Sequence, residues 1–325
     1  MAIKILCLSL AFFATALFLQ GRWIEWMHRL HFGQIIKEYG PQAHLKKRGT
    51  PSMGGVVSFF LVPFVFGAVI LCDVATWFDM VKVWAYPVLA ATIGMLDDVL
   101  KHRSKSSEGL RSLQKLFLQI AVTLPWAYFI AKDDLFMTPT VSLPANYAVL
   151  PLVFLGVGIQ NAVNVTDGLD GLAGGSIAIS LTAMILFAGF ASAAIPSAVI
   201  VSASVGLGLI SAFLWHNANP AELFMGDVGA HFWAGLLISL CVVSRFLVLV
   251  FAVGFIFGIE IITVAIQILA IRGFDKKIFR MSPLHHHFEL VGWKETTIVT
   301  RFWLVHLAGI LMISVVILVY IGGGM

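Results

Sequence analysis

Five polar stretches of this chain hold residue types that can do chemistry. They are Lys46-Lys47-Arg48-Gly49-Thr50-Pro51-Ser52-Met53-Gly54-Gly55, the pair Asp97-Asp98, residues 161–171 with Asn161, Asn164, Asp167, Gly168, Leu169, Asp170 and Gly171, residues 217–227 with Asn217, Asn219, Phe224 and Asp227, and Pro283-Leu284-His285-His286-His287-Phe288-Glu289. Asp97 and Asp98 repel each other as adjacent anions, so the pair either retains a proton or shares a cation. Hard divalent cations such as Mg2+ take carboxylate oxygens; a helix end emerging into water is the alternative. Asn164, Asp167 and Asp170 recur every third residue and share a face if the stretch is helical. Gly168 and Gly171 let a ligand come close to the backbone there; a plain polar turn is the other reading.

Asp227 and His231 stand four apart, a spacing zinc uses, but no third soft ligand lies nearby. Oxygen-rich company favours magnesium. Phe224 either stacks on a planar base or anchors its loop in lipid. His285, His286 and His287 point about 100° apart on a helix, so they cannot converge on one ion; they can donate to a phosphate or fix their loop. The glycine-rich stretch 49–55 lacks a following Gly-Lys-Ser/Thr and is no Walker loop, yet it can present backbone donors and Lys47 to an anion. Glu260 falls within an apolar run, where an ionisable group is functional by default, the alternative being a pairing with Gln267 or Gln160. The carboxylates imply a cation, and the lysines, histidines and glycine turns imply an anion beside it. Magnesium and phosphate meet both requirements, and phosphoryl transfer asks a protein for little beyond positioning and charge neutralisation.

The elements that must position these residues follow from composition. Of 325 residues, 59% are hydrophobic and 12% charged, about half the charged share of a soluble domain. Such a chain has lipid as its solvent. A hydrocarbon core of about 30 Å takes roughly 20 helical residues to cross, and its backbone groups must all be paired. The apolar runs are continuous rather than alternating, so the expected fold is all-α: a polytopic integral membrane protein of about ten transmembrane helices. The spans are read at about 3–20, 56–72, 83–96, 116–131, 147–163, 174–190, 195–214, 231–244, 246–271 and 300–321. The first is read as a retained span, since no small-x-small cleavage site precedes Arg22. Cys7, Cys72 and Cys241 sit in apolar runs without metal or disulfide spacing and are read as core.

Sixteen of the 21 basic residues fall in the loops after the odd-numbered spans, among them Arg22, Arg29, Lys37, Lys46, Lys47, Arg48, Lys101, Lys105, Lys115 and Lys294. Lys4, Lys82, Lys132 and Arg245 lie on the other side. The positive-inside rule makes the richer side cytoplasmic and puts both termini outside. Residues 1–325 are then one transmembrane domain whose loops, about 21–55, 97–115, 164–173, 215–230 and 272–299, carry all five polar stretches on a single face. Within the first loop, Trp23, Trp26, Met27 and Leu30 have the spacing of a helix lying in the interface, or of a continuation of the first span. A transporter would hold its polar groups at the midplane on broken helices, whereas these lie in loops.

In order and over about Gly33 to Gly323, these stretches resemble the bacterial phospho-N-acetylmuramoyl-pentapeptide transferases, within the polyprenyl-phosphate sugar-1-phosphate transferase superfamily. The resemblance is carried by Gly-Thr-Pro-Ser-Met-Gly-Gly (49–55), Asn-Ala-Val-Asn-Val-Thr-Asp-Gly-Leu-Asp-Gly-Leu-Ala (161–173), Phe-Met-Gly-Asp (224–227) and Ser-Pro-Leu-His-His-His-Phe-Glu-Leu (282–290). The histidine motif separates this branch from relatives that use UDP-N-acetylglucosamine. The resemblance implies transfer of phospho-N-acetylmuramoyl-pentapeptide from UDP to undecaprenyl phosphate, with magnesium, giving lipid I and UMP at the cytoplasmic face of the bacterial inner membrane. By motif position Asp227 is implied as the magnesium ligand and Asp98 as the base or acceptor-phosphate residue, with Asp97 beside it. Asn164 and Asp167 are implied to line the site, and Gly168, Leu169, Asp170, Lys47 and Phe224 to form a uridine pocket. Asn217, Ser52 and His285–His287 match further cleft positions, and Lys101 or Lys115 is expected to steady phosphate oxygens. A homodimer is implied, as is a bent ninth helix carrying Glu260; no nucleic-acid partner is expected. The chain departs from the family pattern at Ser52, where threonine is usual, at Val228-Gly229-Ala230-His231, where Thr-Gly-Ser-Leu is usual, and at Trp215-His216. Direct attack by the lipid phosphate is the expected route, and a two-step route through a phosphorylated carboxylate is its rival.

Overall fold

The computed structural model describes residues 1–30, 47, 49–104, 109–132, 135–138, 141–190 and 195–322. Lys37, Lys46, Arg48 and Lys105, counted among the basic loop residues, lie outside the described residues. The described chain folds into helices α1 (Ala2–Arg29), α2 (Gly55–Leu71), α3 (Trp77–Ser104), α4 (Ser112–Ile130), α5 (Ala145–Thr166), α6 (Leu172–Phe190), α7 (Ser197–Asn217), α8 (Gly226–Val243), α9 (Leu249–Val253), α10 (Phe255–Phe274), α11 (Leu284–Val291) and α12 (Glu295–Gly322). Among the described residues, nine helices are long and apolar enough to cross a membrane, and the 17-residue α2 is a shorter apolar helix. At 1.5 Å per residue α2 is about 25 Å long, a short crossing. The all-α, polytopic expectation of about ten spans therefore holds.

The core is built around α8, whose residues from Asp227 to Val242 are all buried. Its most extensive partner is α3, and glycine makes the approach possible. A β-carbon on Gly94 would run into the backbone of Asp227 and Val228, and one on Gly235 into the backbone of Pro87. Gly55 and Gly229 likewise bring α2 against α8 without room for a side chain. Small residues at helix crossings serve this purpose in lipid, where burial of apolar surface does not drive helices together. The outer helices instead turn large apolar groups outward, among them Phe18, Phe117, Leu150, Phe154, Leu311 and Val316. A water-facing surface of that kind would aggregate; against acyl chains it is the solvated surface.

Three local features differ from the sequence reading, and a fourth decides between two alternatives. Helix α1 runs unbroken to Arg29, so Trp23, Trp26 and Met27 continue the first span, the second of the two readings. Helix α3 extends past residue 96 to Ser104, which places Asp97 and Asp98 on a helix rather than at its end. The span expected at 246–271 is two helices, because Gly254 breaks the chain between α9 and α10. A short hairpin, β1 (Leu135–Thr138) against β2 (Val141–Leu143), was not expected. It covers the turn after α8, where Leu247 N–H donates to Phe136 O at 3.2 Å.

Candidate active site

The α3–α8 crossing brings three carboxylates together: one oxygen each from Asp97, Asp98 and Asp227 lie within 4.8 Å of one another. Asp98 accepts the backbone N–H groups of Asp227 at 3.2 Å and Val228 at 3.0 Å. It thus closes the buried N-terminus of α8 from a neighbouring helix, where an anion meets otherwise unpaired donors and the positive end of the helix dipole. Gly226 takes φ +73°, and a β-carbon there would press on Asp98 Oδ2 and the Met53 backbone; only glycine suits both demands. Asp97 Oδ1 accepts Leu110 N–H at 2.7 Å, and its Oδ2 lies 2.6 Å from Lys101 Nζ, one helical turn on. Asp227 Oδ1 accepts from Asn164 Nδ2 at 2.7 Å. Its Oδ2 takes two ammonium groups, Lys115 at 2.6 Å and Lys101 at 3.0 Å. Three carboxylates and two lysines thus form a buried cluster whose possible ligand atoms are all oxygens. That donor set fits a hard divalent cation such as Mg2+.

His231 does not join this cluster. Its Nδ1 lies 2.6 Å from Gln160 Oε1, while Gln160 Nε2 donates to Tyr86 Oη at 2.6 Å. Among the described residues, the group whose ligand atoms lie close enough to share an ion is Asp97, Asp98 and Asp227, without His231.

The stretch from Asn164 to Asp170 is not one helical face. Helix α5 ends at Thr166 with Asp167 as its cap, and the chain then turns through Gly171 at φ +80°. Burial, first, and then the negative charges of Asp227 and Asp170 push the Asp167 carboxyl up to about 7, against the opposing pull of Lys47. Asp170 is fully engaged: Oδ1 meets Lys47 Nζ at 2.7 Å, and Oδ2 accepts Asn219 Nδ2 at 2.9 Å and Ala221 N–H at 3.1 Å. Its own N–H donates to Glu295 Oε1 at 2.7 Å, which also meets Lys47 at 2.5 Å. Burial alone would pull the Lys47 ammonium down, but its hydrogen bonds to Asp170 and Glu295 and their charges outweigh it and hold it above the ordinary lysine range. Glu295 was not singled out in the sequence. An acid in the first turn of a helix is ordinary there, which hides its second use.

Asn217 pins the same turn, accepting Gly171 N–H at 3.0 Å and donating to Leu223 O at 2.9 Å. Leu169 is buried beneath it. Phe224 N–H donates to Pro51 O, and Gly54 N–H to Phe224 O, each at 2.8 Å, while Gly55 N–H reaches Met225 O at 3.1 Å. The donors of Gly54 and Gly55 are thus given to the Phe-Met-Gly-Asp loop. Ser52 offers its carbonyl to Trp23 Nε1 at 3.5 Å.

The histidine run forms α11, a helix missed in the sequence reading. Glu260, in the middle of α10, accepts Leu284 N–H at 2.7 Å and His285 N–H at 3.3 Å, so it caps α11. Neither Gln267 nor Gln160 is its partner in those bonds: Gln267 holds the backbone of Ile278 and Phe279 at 3.1 and 3.0 Å. The His285 and His286 rings meet edge-on, their centroids 4.2 Å apart, while His287 turns to another partner. His287 Nδ1 accepts Arg280 N–H at 3.1 Å, and His286 Nδ1 lies 2.6 Å from Glu289 Oε2. His285 is buried against Gly168, where a β-carbon would collide with its ring. Of the three, His285 is the one shown packed on the Asn164–Asp170 turn.

Apolar helices gather carboxylates and lysines at one face, and residues 80–245 of this membrane-embedded chain match the profile of glycosyl transferase family 4. Residues 47–57 match the first signature of the phospho-N-acetylmuramoyl-pentapeptide-transferases. The chain is 38% identical over 319 residues to the Oceanobacillus iheyensis phospho-N-acetylmuramoyl-pentapeptide-transferase, covering 93% of this chain and 94% of that protein. It is 40% identical over 293 residues to the Desulfitobacterium hafniense protein of the same name, 86% and 87% covered. With the Dictyoglomus turgidum protein of that name it shares 36% over 318 residues, 97% and 98% covered. The chain belongs to the phospho-N-acetylmuramoyl-pentapeptide-transferase family.

Proposed function

We propose that this chain transfers phospho-N-acetylmuramoyl-pentapeptide from UDP to undecaprenyl phosphate in peptidoglycan synthesis, forming lipid I and releasing UMP. An oxygen of the lipid phosphate attacks the sugar-bearing phosphorus of the diphosphate. The bond from that phosphorus to the bridging oxygen breaks, and UMP leaves with the electron pair. The observation that carries this reading is the convergence of Asp97, Asp98 and Asp227 in a chain of this family.

Asp227 and Asp97 are the residues that would hold Mg2+, whose charge would stabilise the diphosphate oxygens when bound. Asp98 keeps Asp227 in place through the first turn of α8 and orients the acceptor phosphate. Lys101 and Lys115 face the diphosphate of the nucleotide substrate. Lys47 and Asp170 form the floor of the uridine pocket, with Gly168, Leu169 and Phe224 around it. Asn164, Asp167, Asn217, Ser52 and His285–His287 line the cleft between them. What supports this assignment is the bonding that ties these residues to one another. The site faces the cytoplasm of the bacterial inner membrane, both termini face outward, and the working unit is a homodimer; the charge asymmetry of the loops supports the orientation.

Release of UMP by the purified protein, with each reactant left out in turn, tests the proposal. UMP is expected only when UDP-N-acetylmuramoyl-pentapeptide, undecaprenyl phosphate and Mg2+ are all present. Release of UMP without the lipid, accompanied by a phosphorylated protein, would replace direct attack with the two-step route. Equal turnover of UDP-N-acetylglucosamine would overturn the sugar assignment.

A further inference from the structure

The donors to the carboxylate cluster are of two kinds. Leu110 N–H, the first N–H groups of α8 and the Asn164 amide are fixed by backbone or by a short side chain. Lys101 and Lys115 are not: each ends a flexible four-carbon stem, which can swing away while its ammonium stays solvated or paired. Both ammonium groups lie on the same atom, Asp227 Oδ2, and Lys101 also holds Asp97 Oδ2. A divalent ion brought to Asp227 therefore enters beside two resident positive charges. Like charges this close oppose one another strongly in a buried site. An anion arriving with the ion removes the conflict, because it gives the lysines a new partner within reach.

We propose that Lys101 and Lys115 are exchangeable placeholders. At rest they neutralise Asp97 and Asp227; as a divalent cation takes Asp227 they leave Oδ2 and close on the nucleotide's phosphates. Cation and nucleotide consequently bind cooperatively, each strengthening the other by the same factor. This rests on the metal reading of Asp227 proposed above and differs in sign from simple phosphate binding. Removing a lysine weakens the anion's hold but tightens the cation's.

The test uses Mn2+ as the probe, with free ion counted by electron paramagnetic resonance, on the full-length purified protein with and without UMP. In the wild type, UMP is expected to tighten Mn2+ binding about tenfold, within the usual range for coupled sites. Lys115→Met is expected to bind Mn2+ alone about tenfold more tightly than the wild type and to lose the UMP effect. Lys101→Met is expected to move in the same direction by less, since its ammonium lies 2.6 Å from Asp97 Oδ2, against 4.0 Å for Lys115, and is more exposed. The melting transition gives a second readout: Mn2+ raises it more in Lys115→Met than in the wild type. Unchanged or weaker Mn2+ binding in both lysine variants, or a UMP effect that survives them, overturns the exchange. Asp227→Asn separates the two layers. If it loses Mn2+ while the lysine variants gain nothing, only the exchange falls; if it keeps wild-type Mn2+ binding, the metal reading falls with it.

Discussion

The Lys47–Asp170–Glu295 cluster and the Asp97–Asp98–Asp227 cluster share one face of the molecule, a buried setting and a surplus of carboxylate, yet their donors differ in kind. In the first, one lysine bridges two acids, and the Asn219 amide and the N–H groups of Ala221 and Asp170 fill the remaining positions. These bonds join the 47–55 loop, the turn after α5, the loop before α8 and the start of α12, so the cluster works as a clasp. In the second, Asp227 Oδ2 takes two lysine ammonium groups. Identical residue types thus make a fixed joint where peptide donors hold them and a replaceable shell where side-chain ammonium does.

Breaking each cluster in turn should expose the difference. Asp227→Asn is expected to lower UMP release roughly a hundredfold to a thousandfold, the scale of losing one transition-state charge contact, with far less effect on the melting transition. Lys47→Met should act on the fold as well as on nucleotide binding, and destabilise by about 2–3 kcal/mol, at the low end for breaking a buried ion pair because the lysine is partly exposed. A Lys47→Met protein that melts like the wild type would show that the clasp is not one. Gly168→Ala sharpens the comparison from the side. Its methyl group meets the His285 ring, and overpacking of this sort costs about 1–3 kcal/mol, read as a lower melting temperature.

A pH-dependent effect concerns Asp167, whose carboxyl feels the charges of both clusters. With its carboxyl near 7 in the folded, metal-free protein and about 3.9 when unfolded, the folded state holds the extra proton. Stability from this group is complete below the unfolded value, falls as pH rises, and is lost above about 7. Asp167→Asn removes that slope, so its melting temperature should gain on the wild type between about pH 5 and pH 8. Parallel melting curves for the two proteins across this range would refute the shift.

The crossing helices were legible because lipid demands long apolar runs, and the sequence shows them as such. The loop residues were legible as candidates for chemistry because Asp97, Asp98 and Asp227 stand beside apolar spans, where carboxylates are uncommon. Their surroundings were not legible. The run Asp97-Asp98-x-x-Lys101-His102-Arg103 reads as a loop by composition, and it is helical because Asp98 and Lys101 have partners on α8. The β1–β2 hairpin is too short to show alternation. Helix α11 depends on a capping acid 24 residues away in sequence, Glu260, a distance no local pattern spans. Lys47 and Asp170 were each singled out, but their bond to each other, and to Glu295, joins positions that only the tertiary fold makes neighbours.

The Glu260 cap has a mechanical consequence. Helix α10 presents Ile262, Ile268 and Leu269 outward, so its tilt answers to the thickness of the surrounding bilayer. The carboxylate in its middle grips the first turn of α11 by two hydrogen bonds, and α11 in turn seats His285 on Gly168. Leaning of that lipid-facing rod is therefore passed along a short rigid linkage to the rim of the pocket, which ties the enzyme's working geometry to the membrane it lives in.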